Sequence, residues 1–595
     1  MIDLSIERLQ QRYRDGLKVR DVIGSLRAQA LSQSDYNAWI YLLSEAELEP
    51  YFQRLENADT QALPLYGVPF AIKDNIDLMG VDTTAACPDF RYRATESAYV
   101  VQALIEAGAI PLGKTNLDQF ATGLVGTRSP YGQGKNVFNS DYISGGSSSG
   151  SAIACALGQV SFALGTDTAG SGRVPAALNN LIGLKPSKGL LSTRGVVPAC
   201  RSLDCVSIFA LCCEDAARIF DIAADYDRRD AFARPRDAAN RGRYFSAPLS
   251  ANLRCAIPKE LDFQGDTECA ALFATARSTL VNMGVDIDEI DFGPFLKAAK
   301  LLYEGPWVAE RWLATQAVNA ESMLEVISTI IKSGDKPKAT DAFAAQYQLQ
   351  ECKRACDLLI ADVDFVLVPT FPKPYKRSEI DADPIALNSR LGTYTNFMNL
   401  LDYAACAVPV GALPSGVHWG VTLFHHAHSD VRLLRIADAL HKKLGLAMGA
   451  GTAQVPVNTT TAPAQPSDTI DVAVCGAHLD GQPLNWQLRE RGAILLESSH
   501  SAENYALYAL PDGKRPALVR DDAKNYATEV EIWRLPSKEF GSFVAGIPSP
   551  LGLGKITLAD GREINSFICE HGGIKGATDI SAYGGWRAWL NSRKT

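Results

Sequence analysis

Apolar runs and helical apolar spacing alternate along residues 1–446. Continuous apolar runs bounded by turn residues predict buried strands, and apolar positions three or four apart predict helices. Strands are predicted at 64–76, 110–115, 159–168 and 364–371, and helices at 97–109, 148–158 and 430–449. This alternation predicts an α/β domain with a mixed, largely covered β-sheet.

The chain changes character after residue 446. Residues 447–468 are rich in Thr, Pro, Ala and Gly without apolar periodicity, which predicts a linker. The rest, 469–595, contains short β-like segments separated by turns, and it predicts a small β-rich α+β domain. These segments are 471–479, 491–499, 505–511, 528–536, 554–561 and 564–570.

Length and composition agree with more than one globular domain. The chain has 595 residues, of which 47% are hydrophobic and 21% charged. Its net charge of −9 argues against a nucleic-acid or membrane-surface binder. The N-terminus is an amphipathic helical pattern rather than a signal peptide, and no stretch is apolar enough to span a bilayer. Thirteen scattered cysteines without a CxxC pair do not indicate a disulfide scaffold, so we expect a cytoplasmic protein.

The most distinctive local feature is a pair of Gly/Ser-rich turns, 145–148 and 169–172, joined by a predicted helix and strand. Such turns let backbone N–H groups converge on an anion, and two serines held there suit nucleophilic catalysis. Histidine is absent before His418, so a Ser-His-Asp triad is awkward here. Lys73 follows an apolar run, and burial would keep it neutral as a base; a lysine at the protein surface is the alternative.

Residues 66–77, 113–124 and 142–175 closely resemble the amidase signature family. The resemblance implies an α/β amidase-signature fold, with helices covering a large mixed sheet, and a Ser–cis-Ser–Lys triad that needs neither metal nor cofactor. In that triad Ser171 is the nucleophile, Ser147 the bridging serine after a cis peptide, and Lys73 the base. The backbone N–H groups of Thr168, Ala169, Gly170 and Ser171 would form the oxyanion hole.

Two rival motifs point elsewhere. Residues 108–115, GAIPLGKT, fit the P-loop pattern, but they follow a predicted helix and their middle is a predicted strand, so we reject ATP binding. His425, His426 and His428 cluster without an acidic or Cys partner at metal-site spacing. A polar loop ahead of the helix at 430–444 is the better interpretation.

The segment 301–312 bears on the substrate. Tyr303 and Arg311 are eight residues apart and would share a helix face, unless Pro306 breaks the helix. Arg311 as a surface salt-bridge residue is the alternative. This segment and the appended domain resemble the allophanate hydrolases of the amidase family. That resemblance implies that Tyr303 and Arg311 bind the carboxylate of urea-1-carboxylate, which is split to ammonia and carbon dioxide. A urea carboxylase would be the metabolic partner, and family members are commonly homodimers.

Residues 474–485, VCGAHLDGQPLN, resemble the first strand and loop of the γ-glutamylcyclotransferase-like fold. In allophanate hydrolases this domain is linked to decarboxylation of the first product, which makes His478 a candidate acid/base residue. His571 and Glu570 are second choices. A structural or dimer-forming module is an equal alternative.

Other functions stay open from the residues alone. The triad would serve an amidase for another small amide of the biuret or malonamate type. A glutaminyl-tRNA amidotransferase-like subunit is less consistent with the acidic charge and the appended domain. A non-catalytic scaffold would have no need for Lys73 and two turn-held serines together.

Overall fold

The computed structural model describes residues 3–56, 58, 62–237, 240–247, 249, 253–455 and 469–593. The chain divides into two compact units, 1–236 with 254–457 and 237–253 with 458–595. Of the predicted linker, 456–468 lies outside the described residues. The first residues of the predicted linker pack on the large unit, where Asn180 Nδ2 donates to the carbonyl oxygens of Ala447 and Gly449 at 2.7 and 2.8 Å.

The large unit is built on one mixed sheet of eleven strands, in the order β1-β5-β2-β6-β8-β7-β12-β13-β11-β9-β10. A two-stranded ribbon, β3-β4, stands apart from it. The strands are β1 (Trp39–Leu42), β2 (Pro69–Lys73), β3 (Asp82–Thr83), β4 (Tyr92–Arg93), β5 (Ile110–Thr115), β6 (Phe162–Asp167), β7 (Ile182–Lys185), β8 (Cys205–Ala210), β9 (Arg254–Pro258), β10 (Asp286–Ile290), β11 (Phe365–Pro369), β12 (Tyr403–Ala412) and β13 (His418–His426).

Helices cover this sheet, and every residue of β2, β5, β6, β8 and β11 is buried, as expected when both faces are packed. The helices are α1 (Ile6–Arg14), α2 (Val19–Ser32), α3 (Glu45–Glu56), α4 (Tyr99–Glu106), α5 (Ser149–Ala156), α6 (Val174–Leu178), α7 (Cys213–Ala223), α8 (Thr267–Asn282), α9 (Gly293–Glu304), α10 (Val308–Thr315), α11 (Glu325–Lys332), α12 (Ala339–Leu359), α13 (Arg377–Ala382), α14 (Ala386–Leu391), α15 (Phe397–Leu400) and α16 (Asp430–Leu444). The predicted α/β architecture is confirmed.

A group of three parallel strands determines where chemistry can occur. Strands β5, β2 and β6 are parallel neighbours, so their carboxyl ends meet at one edge. In parallel sheets that edge is where ligands usually bind. Helix α5 packs across the same three strands. Residues that follow β2 and β6, or precede α5, are therefore brought together.

Both rival motifs have structural roles. Residues 110–115 form β5, as predicted, and the buried Lys114 Nζ lies 2.9 Å from Asp74 Oδ1. The prediction of a polar loop is wrong for His425 and His426, which end β13. His425 is buried there, and both of its ring nitrogens have polar partners. Its Nε2 lies 3.3 Å from the Ile360 carbonyl oxygen, and its Nδ1 lies 3.1 Å from Arg432 Nη2.

The smaller unit confirms the predicted β-rich α+β domain. It has a five-stranded sheet, β15-β18-β14-β20-β19, and a three-stranded sheet, β17-β16-β21, around a core that includes Trp533 and Trp586. Its elements are β14 (Thr469–Val474), α17 (Trp486–Glu490), β15 (Ile494–His500), β16 (Tyr505–Ala509), β17 (Pro516–Arg520), β18 (Glu529–Pro536), α18 (Ser537–Ala545), β19 (Leu551–Thr557), β20 (Glu563–Cys569), β21 (Thr578–Asp579) and α19 (Trp586–Ser592).

Two further properties concern the whole described chain. All thirteen cysteines are free thiols and buried, eleven in the large unit and Cys475 and Cys569 in the smaller one. Among the described residues, no helix combines the length and apolar character needed to cross a membrane.

Candidate active site

Lys73, Ser147 and Thr166 form a buried polar group at the carboxyl edge of the sheet. Lys73 ends β2, and its Nζ lies 2.8 Å from Ser147 Oγ and 2.7 Å from Thr166 Oγ1. Thr166 lies on the adjacent strand β6, whose register places it beside the end of β2. All three side chains are at most 2% exposed. The predicted base and bridging serine are thus in direct contact.

Burial determines the protonation of Lys73. Removal from water disfavours the ammonium form and lowers the pKa of Lys73 to about 7. The carboxylates of Asp118, Asp204 and Asp167 oppose this shift, and the Arg311 charge adds to it. A large fraction of Lys73 is therefore neutral near pH 7 and able to accept a proton.

The turn before α5 holds Ser147 in place. The Gly146–Ser147 peptide bond is cis, and the Ser147 carbonyl accepts the Asp118 N–H at 3.0 Å. A Cβ on Gly146 would lie 2.1 Å from Asp118 Oδ2, so only glycine fits. Asp118 also accepts N–H groups of Val125, Gly126 and Arg128, and it thereby ties this turn to the loop after β5.

Asp167 shapes the loop that carries Ser171. Its carboxylate accepts the N–H groups of Gly170 and Gly172 and pairs with the fully buried Arg173 at 2.9 Å. Burial opposes its ionisation, but the Arg173 charge and hydrogen bonds outweigh that effect and keep the pKa of Asp167 low. The Gly170 N–H is thus committed to Asp167, although sequence reasoning placed it in the oxyanion hole with Thr168, Ala169 and Ser171.

Asp204 supports the same loop from the other side. Its carboxylate accepts the Thr168 hydroxyl at 2.5 Å and the N–H groups of Ala199 and Cys200. Burial raises the pKa of Asp204 despite these hydrogen bonds. Asp204 also lines a cavity of about 320 Å³ with Arg194 and Arg201.

The Ser171 hydroxyl contacts the loop after β5. Its Oγ lies 3.4 Å from the Gly123 carbonyl oxygen, a long hydrogen bond, and Ser171 is 4% exposed. Within the described residues it makes no hydrogen bond to Ser147. The structure therefore brings Lys73 and Ser147 together and leaves the last contact of the predicted relay unmade.

Arg311 is buried rather than a surface residue. Helix α9 ends at Glu304 and α10 begins at Val308, so the helix is broken before Arg311. Even so, the Arg311 guanidinium lies 5.8 Å from the centre of the Tyr303 ring. Its Nη1 donates to Thr122 Oγ1 at 2.9 Å. The broken helix brings the two predicted substrate-binding residues together over the loop that contacts Ser171.

His478 lies in the smaller unit, after β14. Its Nε2 lies 3.0 Å from Gln487 Oε1, and its ring meets Phe543 edge-on at 5.2 Å. Burial lowers the pKa of His478, and the Gln487 hydrogen bond opposes this. The second choices, Glu570 and His571, are exposed.

Sequence reasoning missed Thr166, Asp204 and Arg128. Thr166 is a polar residue directly after the apolar run of β6, and that contrast is a signal that the sequence carries. Asp204 and Arg128 stand 36 and 6 residues from the groups they bind, Thr168 and Thr122, and no local pattern marks them.

The sequence matches two family descriptions, "Amidase" over residues 22–434 and "Allophanate hydrolase C-terminal domain" over residues 470–591. It is 45% identical over 583 residues to urea amidolyase of Saccharomyces cerevisiae, covering 94% of this chain and 31% of that protein. The chain thus spans about a third of the length of the urea amidolyases it matches.

Two further similarities concern proteins of comparable length. The solved structure of Kluyveromyces lactis allophanate hydrolase matches this chain with 42% sequence identity and a TM-score of 0.82. The match covers 99% of this chain and 99% of that chain. A glutamyl-tRNA(Gln) amidotransferase subunit of Treponema pallidum is 34% identical over 412 residues, 63% of this chain and 81% of that protein.

Proposed function

Because the chain belongs to the amidase family, we propose that it is an amide hydrolase that splits allophanate, urea-1-carboxylate, into ammonia and carbon dioxide in urea degradation. The observation that carries this proposal is the buried Arg311, which contacts Tyr303 and is fastened to the loop that meets Ser171. A buried cation beside a nucleophile favours an anionic substrate. The similarity to an allophanate hydrolase over nearly the whole chain supports the same choice.

Ser171 is the proposed nucleophile. Its hydroxyl leaves the Gly123 carbonyl, turns to Ser147 and attacks the terminal amide carbon, while neutral Lys73 accepts the proton through Ser147. The backbone N–H groups of Thr168, Ala169 and Ser171 stabilise the oxyanion. The same relay returns the proton to the departing nitrogen, and ammonia leaves.

Water then hydrolyses the acyl-enzyme. The product is an amine that carries two carboxyl groups, and it loses carbon dioxide and finally yields a second ammonia. The proposed base fits this cycle because a group with a pKa near the working pH both accepts and donates a proton readily.

Recognition rests on Arg311 and Tyr303. A guanidinium offers two parallel N–H donors that match a carboxylate, and the Tyr303 ring restricts its orientation. The test is ammonia release from purified protein with allophanate, biuret and a simple aliphatic amide. We expect a strong preference for allophanate, lost in Ser171→Ala. Arg311→Gln should lower allophanate turnover about 100-fold, and it should leave biuret turnover nearly unchanged. Equal rates on all three substrates would contradict the proposal that Arg311 and Tyr303 bind a substrate carboxylate.

For the smaller unit we propose that His478 assists decarboxylation of the first product. Its half-buried, largely neutral ring beside Gln487 is able to exchange a proton. In His478→Ala the first ammonia should appear at the normal rate, and the doubly carboxylated product should accumulate, which ¹³C NMR detects. Wild-type product ratios in that variant would favour a structural role instead.

Other activities have definite tests. An amidase for biuret or malonamate would prefer those substrates in the same assay. The likeness to an amidotransferase subunit covers 63% of this chain. Such a subunit would need partner chains, whereas we expect the purified chain to act alone. We also propose that a urea carboxylase supplies the substrate and that the protein is a cytoplasmic homodimer, which light scattering of the purified chain tests.

A further inference from the structure

Two buried guanidiniums meet on the loop after β5. Arg311 Nη1 donates to Thr122 Oγ1, and it lies 3.4 Å from the Ala121 carbonyl oxygen. Arg128 contacts the backbone: its Nη1 donates to the Thr122 carbonyl at 2.8 Å, and its Nη2 donates to the Pro384 carbonyl. Each arginine is 3% exposed. Thr122 is thus held by one arginine at its side chain and by another at its backbone.

The backbone of this loop needs such support. Phe120 and Ala121 both have φ of 52°, in the left-handed region that non-glycine residues rarely adopt. The next residue but one, Gly123, presents its carbonyl to Ser171. A Cβ on Gly123 would lie 3.1 Å from Arg128 Cδ, so the Arg128 side chain packs directly against it. Arg128 therefore fixes the backbone that contacts the nucleophile.

The pair also lacks a direct carboxylate partner, although Asp118 and Asp204 act on Arg128 and Arg311 from a distance. Across the described residues, neither Arg128 nor Arg311 forms a salt bridge with a carboxylate. Asp118 acts on Arg128, but its oxygens already accept three backbone N–H groups. Arg128 Nε is buried without a hydrogen-bond partner. Burial of two unpaired cations is costly, and an anion between or beside them reduces that cost.

We propose that Arg128 is a specificity-determining positioning residue: through its charge and its hold on Thr122–Gly123 it makes the pocket select anionic amides without touching the substrate. This rests on the proposed function, in which Arg311 binds the substrate carboxylate. Each Arg128 Nη donates to a backbone carbonyl and the residue is 3% exposed, so we assign its effect on the substrate to the loop and to its field. Its two contributions are separable by substitution.

Arg128→Lys keeps the charge and loses the two-carbonyl fork, whereas Arg128→Gln loses both. For each we measure kcat and KM with allophanate and with biuret, which carries no carboxylate. The lysine variant should lower kcat for both substrates by about tenfold and keep the allophanate-to-biuret ratio of kcat/KM within about threefold of wild type. The glutamine variant should also lower that ratio by about tenfold or more, through a raised KM for allophanate.

The matched control is Arg27→Gln. Arg27 Nε also donates to a backbone carbonyl, that of Leu43 at 2.8 Å, but it belongs to α2 and takes no part in the site. It should keep wild-type constants. Calorimetric binding of malonate to the Ser171→Ala protein, with and without Arg128→Gln, adds a readout without turnover, and the second substitution should weaken it about tenfold or more.

The outcomes are distinct. A wild-type ratio in Arg128→Gln, or a ratio lowered equally in both Arg128 variants, overturns the role of the charge. If Arg128→Gln does not fold, Arg128→Lys alone decides. Loss of the preference for allophanate over biuret in Arg128→Lys contradicts the proposal, because this variant keeps the charge. A wild-type enzyme without preference for allophanate over biuret overturns the proposed function itself, and that result is read before any variant is made.

Discussion

Replacement of Lys73 by methionine tests the proposed base. The two side chains have similar length, and methionine has no titratable group. The pKa of Lys73 falls from 10.5 to about 7, a difference that corresponds to roughly 5 kcal/mol against the buried ammonium form. At pH 8 a lysine with the ordinary pKa is neutral in about 0.3% of molecules, whereas with a pKa near 7 about 90% are neutral.

The assay is kcat/KM for ammonia release from allophanate between pH 6 and pH 9. Since the neutral amine is the active form, the wild-type value should rise about tenfold from pH 6 to pH 8 and then level off. Lys73→Met should lower activity about 10²–10⁴-fold and abolish the rise near pH 7. A rise near pH 7 that persists in Lys73→Met would refute the assignment, as would a wild-type rise near pH 10.

Lys73→Met should lower activity but raise the free energy of unfolding at pH 7. Between pH 7 and pH 10.5 the unfolded chain keeps the Lys73 proton that the folded chain releases, so the free energy of unfolding increases with pH. Methionine removes the free-energy cost of deprotonating Lys73 on folding. It also leaves the hydroxyls of Ser147 and Thr166 without their hydrogen bonds to Nζ, which costs about 1–3 kcal/mol. Urea unfolding should show Lys73→Met to be more stable at pH 7, and the gap should close toward pH 10. A less stable variant at pH 7 contradicts the buried neutral lysine.

Three further variants test other parts of the structure. Ser147→Ala removes the link between Lys73 and Ser171 and should lower kcat about 10²–10⁴-fold with KM nearly unchanged; retained turnover would exclude the relay. Asp204→Asn replaces one of the two carboxylate oxygens, which accept the Thr168 hydroxyl and two backbone N–H groups, with an N–H donor. It should lower kcat about tenfold while KM stays constant, and a rise in KM alone would mean that Asp204 contacts substrate. Burial raises the pKa of Asp215 to about 7 although it accepts the Ile6 N–H, so its contribution to stability falls as pH rises from about 4 to 7. Asp215→Asn should therefore unfold at higher urea concentration than wild type at pH 8 and at nearly the same concentration at pH 4; an equal gap at both pH values would contradict this.

Sequence patterns predicted the elements around the site because each carries its own periodicity, whereas β7, β8 and β12 in the middle of the large sheet were missed. The apolar runs that became β2, β5, β6 and β11 are buried on both faces, and α4, α5 and α16 carry helical spacing. The six β-like segments of the smaller unit are strands for the same reason, whereas β17 and the two-residue β21 were missed. β17 (Pro516–Arg520) was missed because its apolar run is only three residues long and is bounded by Pro516 and Arg520.

The contacts of the site were less predictable because they depend on distant chain segments. Lys73 and Ser147 are 74 residues apart, and Arg311 meets Thr122 across 189 residues. The nearness of Tyr303 and Arg311 was anticipated on one continuous helix. It arises instead across a break at 305–307 that separates α9 from α10. Arg128 binds a residue only six positions away, but no sequence pattern shows that its side chain turns inward.

Because all thirteen cysteines are buried, we expect the native protein to react only slowly with thiol-modifying reagents. Burial raises the pKa of residues such as Cys212 and Cys213 far above the usual range, so thiolate is scarce as well as inaccessible. Modification therefore reports opening of the fold. Because Cys475 and Cys569 belong to the smaller unit and the other eleven to the large one, mass-resolved labelling separates the opening rates of the two units without any substitution. A single cysteine introduced at an exposed position would in turn be the sole reactive site for a fluorophore.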